Sequence, residues 1–473
     1  MKIVYSHLVK NIEEKPSIQQ ISDSLFQLGH EHDIEDGIFD IEFTPNRGDC
    51  LSINGLLRDL AVFYTIDLKQ ELYAKEIEKL DMNFENLSES VCPQVTFLKL
   101  EIDELPSEYS DYLKSYFLDL GINKNNFFTD ISNYLSYETG QPTHCYDASK
   151  MNGKLSFHQT NLNDEFETLL GKKITLSENN SVFSLNNEVV NLAGIVGGIN
   201  TSCSIDTKTV LVECAYFQPE AIIGKSVQYD IQSEASHKFE RGVDPDCQDR
   251  VLRRFIKIVS EHTKVSNISI VSYKSKGIMR HKIPIDVDKI NQIIGININQ
   301  EKYFKYLLKL GFLIEKDSII VPSFRSDVRT NNDLAEEVAR VIGYDNIKVS
   351  NINIPKNKKK NYKDIENKLR YFLLDHGFYE VINSPFVGKK LKESIKVDNP
   401  LDSNREYLRT NVTDSLLGNL LYNEKRQKDS VKLFEISNIY FSGDDPSMKR
   451  KLSVIASGRV GLNFEDFSKK INK

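Results

Sequence analysis

The sequence has no apolar run that approaches the roughly 20 residues of a membrane-spanning helix. Its opening residues, MKIVYSHLVKNIEEKP, have neither the apolar core nor the cleavage site of a secretory signal. These absences exclude a membrane segment at the level of the sequence. We therefore expect a cytoplasmic protein that does not bind membranes.

Paired cysteine motifs and a positive net charge are also absent. The six cysteines are scattered without a CxxC pair, which predicts reduced thiols rather than disulfides or a zinc ribbon. The formal charge of -7 gives no general attraction for nucleic acid, so an RNA contact would need a local basic patch. The basic run KNKKK at 356–360 favours a linker first and a phosphate-contacting loop second.

The residues that are present have the composition of an ordinary globular protein. Hydrophobic residues make up 40% and charged residues 27% of the chain, which is typical of folded domains. The length of 473 residues predicts about three domains. Helical periodicity is mixed with strand-like runs and glycine-rich turns, so we predict an α+β, multidomain fold.

One stretch near position 330, VPSFRSDVRTNNDLAEEVARVIGYDNI, is unusually rich in acidic side chains. Its pattern predicts a short amphipathic helix that begins at Asp333 as N-cap, with Glu336 completing a capping-box-like start. Gly343 stands where a left-handed helix end is expected. The acids favour a well-capped surface helix and a hard-cation site about equally, because carboxylates suit both a helix N-terminus and Mg²⁺.

The first part of the chain contains a clear helix, a strand and a sharp turn. Ser17 and Gln20 are predicted to cap the helix. Phe39, Ile41 and Phe43 alternate as on the inner face of a strand. The TPNRGDC segment that follows must turn sharply before the next helix, and its proline and glycine suffice to explain that turn.

Three later segments carry polar groups suited to a small-molecule pocket. They are DISNYLSYETGQPTHCYD, NLAGIVGG with glycines that would let a backbone approach a ligand, and SEASHKFERGVDP, which follows a glutamate-bearing strand. An isolated histidine, asparagine or glutamate is more often structural than catalytic. No recognisable Ser-His-Asp or Cys-His signature accompanies them. The residues alone therefore predict a pocket without a specific reaction.

These motifs, in this order, resemble the β subunit of bacterial phenylalanyl-tRNA synthetase over nearly the whole chain. The resemblance implies an N-terminal domain at 1–85, an editing domain at 90–268 and a winged-helix-like domain at 278–348. It implies a partial class II synthetase catalytic-like domain at 358–473. A winged helix can bind DNA, but a helix that begins Asp-Leu-Ala-Glu-Glu would repel phosphate, so we expect no DNA binding.

In that family the editing domain hydrolyses tyrosine wrongly attached to tRNA-Phe. The resemblance implies that the catalytic residues of editing are Asn133, His144 and Glu213, of which Glu213 recognises the tyrosine hydroxyl. The residues that match the rest of the editing pocket are Ser132, Gly194, Ser233 and Ala235. Serine stands at 132 and 233 where threonine is common, so the hydroxyl is kept and a methyl group is lost.

The resemblance also implies a metal and partners. The matching magnesium ligands, at a site shared with the α subunit, are Asp327, Asp333, Glu336 and Glu337. The expected assembly is a heterotetramer of two α and two β subunits that binds tRNA-Phe and uses ATP, with the aminoacylation site in the α subunit. Arg409 and Glu435 are expected to be structural or interface groups rather than ATP ligands.

The chain departs from the family pattern in two places. Only residues 30–37 join the first helix to the strand, where relatives carry an oligonucleotide-fold tRNA-binding insert, so that module is expected to be absent. The chain stops at NFEDFSKKINK, before the anticodon-binding domain, as a naturally reduced subunit or as a fragment. Two rival interpretations stay open, a free-standing editing hydrolase and a non-enzymatic assembly subunit.

Overall fold

The computed structural model describes residues 1–67, 71–160, 164–275, 280–349, 363–428, 430–443 and 446–458. The basic run KNKKK and the final segment NFEDFSKKINK lie outside these described residues. Helices and strands form two compact units, Met1–Asn351 and Ile352–Lys473. The predicted α+β, multidomain fold is confirmed. Among the described helices, none is long and apolar enough to cross a membrane.

The N-terminal part is a small antiparallel sheet, ordered β1-β3-β2, with helices around it. Its elements are β1 (Lys2–Val4), α1 (Tyr5–Val9), α2 (Ile18–Gln27), β2 (Glu31–Glu35), β3 (Ile38–Glu42) and α3 (Ile53–Leu60). The predicted cap of α2 is confirmed, because the Ser17 N–H donates to Gln20 Oε1 at 2.8 Å and the Gln20 N–H donates to Ser17 Oγ at 3.3 Å. The predicted inner face of β3 is also confirmed, since Phe39, Ile41 and Phe43 are buried.

The central part is built on two five-stranded sheets. Its elements, in chain order, are β4 (Glu78–Lys79), β5 (Phe84–Asn86), β6 (Gln94–Ile102), α4 (Asp111–Leu120), α5 (Phe127–Thr139), β7 (His144–Asp147), β8 (Leu155–Gln159), β9 (Asp164–Glu167), β10 (Lys173–Leu176), β11 (Ser181–Leu185), β12 (Glu188–Leu192), β13 (Val196–Gly197), β14 (Thr209–Tyr216), α6 (Lys225–Tyr229), α7 (Glu234–Arg241), α8 (Gln248–His262) and β15 (Val265–Lys274). One sheet has the order β4-β15-β6-β14-β7 and the other β13-β12-β11-β8-β5.

The two faces of the first sheet are covered by different partners. On one face, α5 and α8 pack through Phe128 and Phe255 in a core that includes Leu98 and Val210. On the other face, an aromatic core joins the two sheets, and Phe97 meets Phe183 edge to face with ring centroids 6.3 Å apart. Burial on both faces explains why β14 is buried along nearly its whole length and why the first five residues of β6 are buried, as in strands covered on both sides.

The third part combines three helices with a three-stranded sheet ordered β16-β18-β17. Its elements are β16 (Lys282–Pro284), α9 (Val287–Ile294), α10 (Gln300–Lys309), β17 (Leu313–Glu315), β18 (Ser318–Ile320) and α11 (Asn331–Ile342). The prediction that Asp333 caps α11 is wrong. Thr330 is the N-cap, and Asp333 Oδ2 accepts hydrogen bonds from the Thr330 backbone N–H at 2.7 Å and hydroxyl at 2.9 Å. Gly343 ends α11 with φ of 87° but an extended ψ of 127°, not a left-handed one.

The second unit contains a long antiparallel hairpin. Its elements are α12 (Lys363–Asp375), β19 (Tyr379–Glu380), β20 (Phe386–Val387), β21 (Tyr407–Leu408), α13 (Thr413–Glu424), β22 (Ser430–Phe441) and β23 (Ser447–Gly458). β22 pairs with β23 along its whole length and with β19 in parallel. Arg409 Nη2 donates to Glu435 Oε1 at 2.8 Å, and both residues are buried. This ion pair agrees with the structural role expected for them.

Candidate functional site

The structure brings the seven residues proposed for the editing pocket to one cavity of about 510 Å³. Its walls come from α5, β7, β13, β14 and α7. The proposed residues that line it are Ser132, Asn133, His144, Gly194, Glu213, Ser233 and Ala235. A volume in the range of about 300–1,000 Å³ is usual for sites that bind small molecules. Segments far apart in sequence therefore converge on a space large enough for a ligand.

Glu213 lies in the middle of β14 and is buried, with 4% of the residue exposed. Its partner across the sheet is His144 in β7, so the two side chains lie on the same face. Glu213 Oε2 accepts hydrogen bonds from Tyr146 Oη at 2.7 Å and Asn191 Nδ2 at 3.2 Å. Burial raises the pKa of Glu213 to about 7, because it outweighs the lowering effect of these two hydrogen bonds. The carboxyl group therefore changes its charge near neutral pH.

His144 presents an imidazole with an unsatisfied nitrogen. Its Nε2 is buried and has no hydrogen-bond partner among the described residues. Burial lowers the pKa of His144 to about 4, so the ring is neutral at pH 7. The ring stands edge to face against Tyr146, with centroids 4.4 Å apart. Room for the ring depends on Gly197, where a Cβ atom would lie 2.1 Å from His144 Cε1.

The two serines proposed for the pocket hold its walls together. Ser132 Oγ donates to the Thr143 carbonyl at 2.7 Å, which joins α5 to the start of β7. Ser233 is the N-cap of α7, since its Oγ accepts from the Ser236 N–H at 3.0 Å. The same Oγ donates to the Ile195 carbonyl at 2.7 Å. Both hydroxyl groups are therefore committed to the protein.

One side of the cavity is apolar and tightly shaped. Gly194 has φ of 72°, and a Cβ atom there would lie 3.0 Å from Ile222 Cδ1. Glycine is therefore required by conformation as well as by space. Ala235 borders the same side with Phe239, which adds to its apolar surface. Asn133 reaches the cavity from α5 and is partly exposed there.

Sequence reasoning missed Tyr146 and Asn191, which fix the Glu213 carboxylate. Tyr146 is fully buried, and its hydroxyl also accepts a hydrogen bond from Asn191 Nδ2 at 2.9 Å. Tyr146 follows His144 by two residues on one strand, so the two share a face, which is a signal that the sequence contains. Asn191 opens the NLAGIVGG motif, but nothing local in the sequence pairs it with Glu213.

The four acids implied as magnesium ligands are not gathered around one point. Glu337 and Asp327 accept hydrogen bonds from arginine side chains, and Glu336 is exposed. Asp333 accepts a hydrogen bond from the backbone N–H of Thr330, the N-cap of α11. The one group of three ligand-type atoms close enough to hold a metal, within the described residues, is His30, Cys50 and Asp59. That group receives guanidinium N–H groups as well, which a cation would repel. Neither donor set fits a magnesium ion, and the implied magnesium site stays an untested prediction.

Comparison with known proteins identifies three domain families along the chain. The "B3/4 domain" family matches residues 96–264 and contains the cavity. The "tRNA synthetase B5 domain" family matches residues 283–344. The "Phenylalanyl tRNA synthetase beta chain CLM domain" family matches residues 348–469. The order of the three matches follows the order of the parts described above.

Curated relatives match almost the whole chain. The phenylalanine–tRNA ligase beta subunit of Ehrlichia canis (strain Jake) is 30% identical over 476 residues, which cover 96% of this chain and 58% of that protein. The protein of the same name from Wolbachia sp. subsp. Brugia malayi (strain TRS) is 30% identical over 482 residues, with 96% and 60% covered. This chain thus spans about three fifths of the length of these two relatives.

A solved structure of an N-terminal fragment of the phenylalanyl-tRNA synthetase beta-subunit from Pyrococcus horikoshii is a more distant match. It covers 72% of this chain and 99% of the fragment, at 14% sequence identity and a TM-score of 0.41. A likeness at this level is too weak to bear on function.

Proposed function

The chain belongs to the family of phenylalanine–tRNA ligase β subunits, and we propose that its cavity hydrolyses tyrosine wrongly esterified to tRNA-Phe. The observation that carries this proposal is the buried carboxyl group of Glu213 in the cavity wall. Its Oε2 is held by Tyr146 and Asn191, while its Oε1 accepts no hydrogen bond from the described residues. A fixed carboxylate with one free oxygen is suited to accept a hydrogen bond from a phenol.

Such a second site is needed on energetic grounds. An apolar pocket built for phenylalanine cannot strongly reject an analogue that only adds a hydroxyl group. A site built around a hydrogen bond to that hydroxyl can discriminate by as much as about 10⁴–10⁵. In this cavity, tyrosine would donate its hydroxyl to Glu213, whereas phenylalanine would leave the buried carboxylate without a partner. The cavity therefore selects the wrong amino acid for hydrolysis.

The reaction is attack of water on the ester carbonyl, which releases tyrosine and the ribose hydroxyl of the tRNA. A histidine with a pKa near 4 is a weak base at neutral pH. We therefore assign His144 a hydrogen bond between its free Nε2 and the water or the ester, rather than the role of a general base that removes a proton from the water. Asn133, on α5, supplies a second polar contact, and the tRNA's own hydroxyl groups complete the positioning of the water.

Deacylation of Tyr-tRNA-Phe and Phe-tRNA-Phe by the purified chain, alone and with its α subunit, tests the proposal. We expect Glu213→Ala to reduce the preference for the tyrosyl ester on the order of 10²-fold, because the acceptor is lost. The matched control is Glu188→Ala, which removes an exposed carboxylate from the same domain and leaves the preference unchanged. An unchanged preference in Glu213→Ala would remove the assigned role of this residue.

We further propose that the chain acts in a heterotetramer with two α subunits that attaches phenylalanine to tRNA-Phe with ATP. We assign no ATP site and no metal-dependent step to this chain, since the four acids do not fit a magnesium ion in this arrangement. Co-expression with a candidate α subunit, native mass measurement and phenylalanine attachment to tRNA-Phe test the assembly. A stable monomer that deacylates Tyr-tRNA-Phe would instead favour a free-standing hydrolase. The cytoplasmic location remains a prediction.

A further inference from the structure

A row of buried charges of alternating sign joins the N-terminal part of the chain to α11. We call the row the charge chain, and its members in spatial order are Asp49, Arg47, Asp59, Arg340, Glu337, Arg325 and Asp327. Successive members approach within 2.5 to 2.9 Å, and none has a side chain more than 12% exposed. Two of the acids implied as magnesium ligands are therefore part of a larger buried network.

Glu337 has no acceptor position left for a cation. An ionised carboxylate offers about four lone-pair sites. Arg325 donates to both Glu337 oxygens at 2.7 Å. Arg340 donates through Nε to Oε1 at 3.0 Å and through Nη2 to Oε2 at 2.5 Å. A magnesium ion, which takes oxygen ligands at about 2.0–2.1 Å, would have to displace one of these guanidinium groups.

Asp327 is held in a similar way. Its Oδ1 accepts from Arg325 Nε at 2.9 Å, and its Oδ2 accepts from Arg325 Nη2 at 3.0 Å. Oδ2 also accepts from Asn46 Nδ2 at 3.2 Å. Asn46 belongs to the TPNRGDC turn, so Asp327 connects the loop before α11 to that turn. Arg325 thus clamps two of the implied ligands with paired N–H groups, the strongest geometry for a carboxylate.

The TPNRGDC turn also contacts the end of α7, a helix whose earlier residues line the cavity. A Cβ atom on Gly48 would lie 2.4 Å from the Gly242 carbonyl oxygen and 2.5 Å from that of Arg241. Backbone contact this close leaves no space for a side chain at position 48. Since α7 ends at Arg241, the turn, which carries Arg47 and Asp49 of the charge chain, also contacts the end of α7.

Three guanidinium groups compensate three of the four negative charges in the row without a metal. Four carboxylates face three guanidinium groups, and His30 Nε2 lies 2.9 Å from Asp59 Oδ2. Glu337 is buried, and both of its oxygens accept hydrogen bonds from the charged side chains of Arg325 and Arg340. The carboxylate is therefore ionised and paired at neutral pH, as a buried charge must be.

We propose that Asp327 and Glu337 are not magnesium ligands in this chain but form, with Arg325 and Arg340, a structural joint that fixes α11 to the TPNRGDC turn. The joint holds the three-helix part against the N-terminal part and, through Gly48, against the end of α7. This inference does not depend on the editing proposal, since no member of the charge chain lines the cavity.

The test uses the full chain, alone and with its α subunit, and compares neighbouring acids. Glu337→Gln should lower the thermal midpoint by roughly 10 °C, because it leaves guanidinium groups buried without their partner. The loss should be the same in magnesium and in EDTA. Glu336→Gln, the adjacent exposed acid, should leave the midpoint unchanged. Mn²⁺ binding, followed by electron paramagnetic resonance, should be the same in Glu337→Gln and the wild type.

A second variant keeps the proposal testable if Glu337→Gln does not fold. Arg340→Lys keeps the positive charge but loses the paired N–H geometry. If the joint is structural, this variant should have a lower thermal midpoint of unfolding, both in magnesium and in EDTA. If Glu337 is instead a magnesium ligand, Arg340→Lys should bind Mn²⁺ as tightly as the wild type or more tightly. Magnesium should then also raise the thermal midpoint of the wild type. A rise of that kind, abolished by Glu337→Gln, would overturn the proposal.

Discussion

The free nitrogen of His144 depends on the absence of a side chain at position 197. A methyl group on Gly197 would overlap the imidazole at Cε1 and lie 2.6 Å from Nε2. The ring, which is the movable partner, would turn into the cavity. We therefore expect Gly197→Ala to reduce deacylation of Tyr-tRNA-Phe at least 10-fold and to cost about 1–3 kcal/mol of stability, as overpacking usually does.

A double-mutant cycle isolates the contact behind this expectation. In a His144→Ala background the methyl group has space, so Gly197→Ala should cost little further stability. The two substitutions should be strongly non-additive in urea unfolding. Additive effects would mean that Gly197 acts through its backbone and not through the ring of His144.

At the residue scale, the sequence predicted less than the family resemblance did. Asn133, His144 and Glu213 were named because they match the family's motifs, whereas residue types alone supported only a pocket. Tyr146 and Asn191 were missed because a hydrogen bond to Glu213 depends on strand pairing. No local pattern records which distant strands pair, even where each strand is well predicted.

The wall formed by α7 depends on one hydroxyl group at its start. Ser233 both caps α7 and bonds to the Ile195 carbonyl, next to Gly194. We expect Ser233→Ala to cost about 1–2 kcal/mol of stability, which is usual for loss of an N-cap. It should also raise the KM for Tyr-tRNA-Phe, because α7 carries Ala235, which lines the cavity.

The matched control for this helix start is Ser233→Thr. Threonine keeps the hydroxyl group and caps nearly as well, so stability and KM should stay close to the wild type. Equal losses in Ser233→Ala and Ser233→Thr would show that side-chain volume, and not the hydroxyl group, fixes the wall.

At the element scale, the two capping predictions had different outcomes for a physical reason. The helix α2 has a single suitable box, Ser17 with Gln20, and it forms as predicted. Near α11, two boxes overlap in TNNDLAEE. The earlier one forms, because the Asp333 carboxylate satisfies the Thr330 N–H and extends the helix by two asparagines. Sequence spacing allowed both starts and could not rank them.

At the scale of the whole molecule, the charge chain was invisible in the sequence. Arg47 pairs with Asp49, two residues along the chain, at 2.9 Å, which is a local contact. Its continuation through Asp59 to Arg340 joins residues that are 281 positions apart. Such contacts follow from how domains pack, which neither periodicity nor capping signals specify.

Two buried carboxyl groups give opposite pH dependences of the stability of the molecule. Glu213 has a pKa raised from 4.5 to about 7, so the unfolded chain loses its proton first and stability falls as pH rises from 4.5 to 7. The pKa of Asp59 tends upward through burial, but Arg340 and Arg47 lower it well below its ordinary value. Its contribution is present above the unfolded pKa of about 3.9 and is lost as pH falls below it.

Urea unfolding between pH 3 and 8 separates the contributions of the two carboxyl groups. Unfolding is followed by circular dichroism, because the chain has no tryptophan whose fluorescence could report it. The free energy of unfolding of Glu213→Gln, relative to the wild type, should rise by up to about 3 kcal/mol between pH 4.5 and 7 and then stay level. Asp59→Asn should be less stable at pH 7 and lose less on acidification, because its buried charge is already gone. A difference between Glu213→Gln and the wild type that does not change with pH would contradict the raised pKa, and with it the neutral-pH switch of the cavity's acceptor.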